Sequence, residues 1–127
     1  MKKKFLILPV LILTLLVANP ALSADFQKGL TAAQSGDFAT ALREWTPLAE
    51  QGHADAQSNL GLMYRKGEGV LQDYVRAHMW YNIAASSGDS ENASKNRRLI
   101  AKLMNSNQIE KAQKLARECV AKNYKGC

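Results

Sequence analysis

The sequence predicts an all-α fold, a short right-handed α–α solenoid of about three antiparallel helical hairpins. Three observations predict it. Helical periodicity runs from Phe26 to Val120, with no strand-like alternation longer than a few residues. Turn-forming residues interrupt that pattern at regular places. A shift of 36 residues then lays one helix on another: Asp37 falls on Asp73, Phe38 on Tyr74, Ala41 on Ala77, Trp45 on Tyr81, Ala49 on Ala85 and Gly52 on Gly88. These positions are the N-cap, the buried face and the terminator of one helix. A hairpin of this kind buries its apolar stripe only by stacking on neighbours.

The elements follow in order. Ser35-Gly36-Asp37 separates a short helix over about 26–35 from a second over about 37–51, which Gly52 ends. A third spans about 54–66 and stops at the Gly67-Glu68-Gly69 loop. The fourth, about 73–87, has Asp73 as its N-cap, and Gly88-Asp89 breaks it. The fifth covers about 90–104. Asn105-Ser106-Asn107 breaks the chain again, and Asn107 with Glu110 forms a capping pair for a sixth helix over about 108–122. Six helices joined by short turns make three hairpins. Alanines let the helices approach, and Trp45 and Tyr81 fill the gaps between units. The last unit keeps apolar stripes at Leu99, Leu103, Ile109, Ala112, Leu115 and Ala116 but loses the 36-residue match, as terminal units do.

Residues 1–24 are predicted to be a secretory signal peptide. Lys2, Lys3 and Lys4 form a basic start, and Phe5 to Val17 carries no charge. Asn19 and Pro20 break the run, and Ala21-Leu22-Ser23-Ala24 offers small residues for cleavage after Ser23 or Ala24. The apolar run is short for a spanning helix, which needs about 20 residues. No second apolar segment is long enough to span a membrane once the signal is removed. The helical domain is then 25–127, a single-domain length. Loss of the three lysines lowers the formal net charge from +6 to +3. Mild basicity at that level favours solubility and gives no strong nucleic-acid footprint.

Both cysteines, Cys119 and Cys127, lie near the end of the chain. In an oxidising compartment such a pair reads as a disulfide. A helix continued through Cys127 would hold the two Cα atoms about 12 Å apart, whereas a bridge needs about 7 Å or less. The helix must therefore stop near Asn123 and the chain turn back, with Asn123 and Gly126 suited to the turn. A free thiol pair, a metal site or a link between chains are the competing readings.

The stretch 54–88, ADAQSNLGLMYRKGEGVLQDYVRAHMWYNIAASSG, is the best repeat, with partial repeats at 26–52 and 90–122. Gln57 to Tyr64, QSNLGLMY, fits the Leu-Gly-x-x-Tyr element of tetratricopeptide repeats. Leu60 and Tyr64 face the partner helix, and Gly61 permits close packing. Thirteen residues separate Tyr64 from Ala77, about four more than that pattern allows, and the surplus is the Gly67–Val70 loop. A Gly-rich loop, then Asp73-Tyr74, then AHMWYNIAASSG closely resembles the Sel-one-like repeat, a relative of tetratricopeptide solenoids found in exported bacterial proteins among others. Leu71 stands where that family commonly has proline. The resemblance implies a non-catalytic protein–protein interaction or scaffold module of the bacterial envelope, periplasmic or secreted, with an unknown protein or peptide partner. Its groove would be lined by the first helix of each hairpin. Cysteine-rich relatives linked to β-lactam binding suggest the alternative, a cell-wall or β-lactam-binding protein or enzyme; they carry a bridge in each repeat, and this chain has one terminal pair.

Candidate chemistry is sparse. His53 lies in a turn beside Asp55, with no nucleophile placed by any motif; His78 is expected at the edge of the fourth helix. Ser-x-x-Lys, Gly-x-Ser-x-Gly and His-Glu-x-x-His are absent. Glu44, Glu50, Glu68 and Asp73 are scattered carboxylates. Gly67-Glu68-Gly69 lacks the Lys-Ser/Thr of a phosphate loop. No enzyme activity, cofactor or metal is expected. Trp80 is a candidate for stacking on a ligand, because Tyr81 already points inward and adjacent helical residues diverge by about 100°. Arg65 and Lys66 with Lys95, Arg97 and Arg98 form the main basic cluster. They fall on corresponding helices of successive repeats and are expected to share one concave face for an acidic partner. Nucleic acid is disfavoured as that partner.

Overall fold

The computed structural model describes residues 24–88 and 90–127, so the expected signal peptide lies, Ala24 apart, outside the described residues. Six helices appear among the described residues: α1 (Phe26–Gln34), α2 (Phe38–Glu50), α3 (Ala54–Lys66), α4 (Tyr74–Ser87), α5 (Ser90–Ala101) and α6 (Ser106–Ala121). The described residues form no strand. The all-helical solenoid class stands.

Side chains start most of these helices. Asp25, Asp37 and Asp73 accept from the backbone N–H of Lys28, Thr40 and Arg76, at the heads of α1, α2 and α4. His53 caps α3 through Nδ1, which accepts from the Ala56 N–H at 3.2 Å. Helix α6 begins two residues earlier than the sequence suggests. Asn105 and Gln108 form the reciprocal capping box, each at 2.9 Å, in place of Asn107 and Glu110. An amide at the third helical position closes such a box as well as a carboxylate does. Helix α5 ends at Ala101, and the chain turns through Lys102–Met104.

The repeat is visible as a contact. In the first unit a Cβ on Gly29 would run into the Trp45 ring; in the second, a Cβ on Gly61 would come within 2.8 Å of Tyr81. Trp45 and Tyr81 thus occupy equivalent places, each laid across a glycine of the preceding helix. The second-helix aromatics are 36 residues apart and the first-helix glycines 32, and the four-residue difference is the Gly67–Val70 loop. Ala41 and Ala77 are both fully buried at matching positions. Ala49 is buried, whereas its counterpart Ala85 is half-buried, and there the match loosens.

Helix α4 is the centre of the molecule. It packs on α3, α5 and α6, while α1 packs on α2 and α2 on α3. In the third unit α5 and α6 lean on α4 more than on each other. Enclosure on several sides explains why Ala77, His78, Met79, Trp80, Tyr81, Ile83 and Ala84 are all buried, a helix apolar almost all round. Trp80 belongs to the larger core with Trp45, Leu60, Met63 and Ile83, and Tyr81 to a smaller one with Ala77 and Ile100. His78, expected at the edge, is 3 % exposed. Burial, with the nearby Arg97, depresses its pKa and favours the neutral ring.

After α6 the chain reverses. Asn123 and Tyr124 hold φ of 53° and 65°, and Gly126 follows at 68°. The reversal brings Cys127 to Cys119 with Cα atoms 5.6 Å apart, and the sulfurs are joined. Tyr124 swings its ring over the Gly52 turn, Lys125 reaches Glu50 at 4.0 Å, and the Arg76 guanidinium donates to the Cys127 carbonyl at 2.7 Å. The tail thereby crosses from α6 onto α2 and α4.

Candidate functional site

Helices α1, α3 and α5, the first of each pair, converge on a cleft of about 310 Å³. Phe26 and Leu30 come from α1; Asp55, Ser58, Asn59 and Leu62 from α3; Asn92 and Asn96 from α5. Their spacing explains the convergence. Residues 26 and 30, then 55, 58, 59 and 62, then 92 and 96 each fall on one helical face at i, i+3, i+4 or i+7. On α3 this face lies away from Ala56, Leu60 and Met63, which are buried.

The α1 wall is held by its own set of contacts. Phe26 stacks on His53 with ring centres 5.0 Å apart and lies 6.0 Å from the Trp45 ring. The Trp45 indole N–H donates to the Phe26 carbonyl at 3.2 Å. Glu44, buried on α2, accepts the Asp25 N–H at 3.0 Å and pairs with Lys28 at 3.3 Å. The Asp25 hydrogen bond holds its pKa below the ordinary 4.5; burial opposes this, and Lys28 assists. A carboxylate with a depressed folded-state pKa stabilises the fold above its unfolded pKa, and that contribution fades as pH falls through the folded value. Glu44→Gln is therefore expected to lower the urea midpoint at pH 7 and to lower it less at pH 3. An equal loss at both pH values would assign the effect to packing.

Chemically the cleft is an apolar floor with amide edges. Phe26, Leu30 and Leu62 offer apolar contact. The three asparagines each offer two donors and an acceptor, with no charge to satisfy. Asp55 is the one ionised group among the lining residues. Such a surface suits an extended polypeptide, whose backbone presents both donors and acceptors.

The expected basic cluster is not part of the cleft, whose lining includes none of its five members. The Arg97 guanidinium hydrogen-bonds the Asn82 side chain on α4. Arg65 is half-buried beside Tyr81, where its charge opposes the burial that raises the phenol pKa. Lys66, Lys95 and Arg98 are exposed. Trp80 is 4 % exposed and packs in the core, so the stacking role expected for it is corrected. The enclosed position of α4 is the reason: both of its broad faces are covered. Trp80 does border a smaller cavity of about 220 Å³, with Leu42, Leu60, Tyr64 and the Gly126–Cys127 tail. A third cavity, of about 250 Å³, lies between α4 and α6 around Ile83 and Ala116. Among the described residues no group of His, Cys, Asp or Glu is arranged to hold a metal ion. No described helix is long and apolar enough to cross a membrane.

Sequence reasoning missed the asparagines. Asn59 sits between the conspicuous Leu60 and Gly61, and Asn92 and Asn96 lie in the unit where the repeat fades. The i, i+4 spacing of Asn92 and Asn96, and of Asn59 with Asp55, was the available signal.

Residues 54–89 match the family model of the Sel1 repeat. This is a unit of helical solenoids, and such repeats are generally protein–protein interaction modules without catalytic function. No curated protein matches the chain.

Proposed function

Starting from the Sel1 repeat at residues 54–89, we propose that this chain is a non-catalytic binding module of the bacterial envelope, periplasmic or secreted, that holds an extended segment of a protein partner. The cleft between α1, α3 and α5 carries this reading. Three helices from successive units present a preformed surface, so little ordering cost falls on the protein when the segment binds. Asn59, Asn92 and Asn96 would pair with the main chain of the segment, and Phe26, Leu30 and Leu62 would cover its apolar side chains. Export is supported by the basic, apolar and small-residue layout of residues 1–24 and by the joined Cys119 and Cys127.

Selection of binders from a displayed peptide library tests the groove. Alanine at Asn59, Asn92 or Asn96 is expected to weaken the selected peptides roughly 5- to 20-fold each, the loss of one or two hydrogen bonds. Peptides that bind all three variants as well as the parent would place recognition elsewhere and overturn the reading.

A further inference from the structure

The exposed surface of α5 and of the turn that follows it has a distinct chemistry. Ala93 and Ile100, 0 % and 1 % exposed, fix the inner face of the helix. Away from that face stand Lys95, Arg98 and Leu99 on α5, and Lys102 and Leu103 follow in the turn after it; all five are exposed. Leu99 is 42 % and Leu103 60 % exposed, large values for leucine. No ion pair among the described residues engages Lys95, Arg98 or Lys102. No acidic residue occurs between Glu91 and Glu110. The sign extends to the whole third unit: residues 90–127 hold nine Lys or Arg and three Asp or Glu, whereas 25–88 hold five and seven.

The end of a solenoid needs a polar face to prevent self-stacking, and charges of mixed sign would serve. A row of one sign with leucines between the cations does more. It repels its own copy, attracts anions, and offers apolar side chains to whatever the cations meet. Coulombic attraction with shallow apolar insertion is how a helix lies on an anionic bilayer. None of the five residues lines the cleft or the two smaller cavities. A folded protein partner would find no recess there, and a fluid headgroup layer requires none.

We propose that Lys95, Arg98, Leu99, Lys102 and Leu103 form a peripheral docking stripe for an anionic phospholipid surface. The cations meet the lipid phosphates, and the two leucines reach the acyl boundary. The stripe is independent of the peptide-binding reading.

Co-sedimentation with vesicles tests it. The chain is recovered after export and its first residue fixed by mass spectrometry, so a failure of the export reading is seen separately. Vesicles of phosphatidylglycerol and phosphatidylcholine in equal parts are compared with phosphatidylcholine alone. The expected preference for the anionic vesicles is roughly fivefold per cation, on the order of 100-fold for three at low salt, falling as salt screens the charges. Lys95→Gln/Arg98→Gln/Lys102→Gln should abolish most of that preference. Leu99→Ser/Leu103→Ser should weaken partitioning with the salt dependence unchanged. All five residues are exposed, so both variants should keep the parental helical circular dichroism. Lys111→Gln/Lys114→Gln/Arg117→Gln on α6 removes the same charge elsewhere and should cost much less. Equal partitioning into both vesicle types, or an equal loss from the α6 variant, would overturn the proposal. So would binding of an acidic peptide by the stripe without vesicle binding.

Discussion

Tyr81→Ala is expected to cost about 3–5 kcal/mol of folding stability, the range for removing a large buried aromatic ring. Tyr81 is fully buried on the central helix, packed with Ala77 and Ile100 and laid across Gly61. The same contact makes Gly61→Ala costly on its own, about 1–3 kcal/mol through overpacking, because the new Cβ would stand 2.8 Å from the ring. The two effects are coupled. With the ring gone, a methyl group at position 61 meets open space, and the helix preference of alanine over glycine, about 1 kcal/mol, acts alone. Gly61→Ala should therefore destabilise the parent and stabilise the Tyr81→Ala variant. Urea unfolding of the four proteins of this double-mutant cycle measures the reversal. The same small cost in both backgrounds would show that the ring does not rest on Gly61.

Removing the bridge is the second large effect. Cys119→Ala/Cys127→Ser is expected to lose about 2–3 kcal/mol, the loop-closure entropy for a separation of eight residues. In a domain of about 100 residues this lowers Tm by roughly 10–20 °C. Alanine suits position 119, where the side chain is buried in the larger core. The bridge also holds Asn123 and Tyr124 at positive φ, which non-glycine residues adopt at a cost. Once free, the tail has reason to leave the Gly52 turn and Glu50. Thermal melts of the oxidised parent, the reduced parent and the variant should place the last two together, below the first. A reduced protein that melts with the oxidised one would show that the tail is held by packing alone.

The parts legible in the sequence were those with a local cause. Asp37 and Asp73 announce helix starts because a short carboxylate caps its own backbone, and both do so here. The 36-residue shift places Trp45 and Tyr81 correctly because each meets a glycine in its own hairpin. Facts set by tertiary enclosure were less legible. Nothing local to Trp80 or His78 says that α3, α5, α6 and the tail together enclose α4. Periodicity alone left Trp80 at a surface that does not exist. The cleft was partly legible: its walls are the first helices, as the repeat implies. Its asparagines were obscured because polar residues on an exposed helix face ordinarily signify solvation, and only the convergence of three helices gives these another use. The basic residues show the converse. Arg97 and Arg65 look like surface charge in sequence, yet one is bonded to Asn82 and the other is tucked beside Tyr81.

A linear array of repeats can fray one unit at a time, since each layer depends on its immediate neighbour alone. The placement of α4 removes that freedom. Losing α3, α5 or α6 strips a side of the helix that supplies buried residues to both apolar clusters, and the crossing tail ties the last unit back to the first. The domain should melt as a single cooperative body, its slowest-exchanging amides along α4. Shortening it by a unit would not leave a smaller working solenoid.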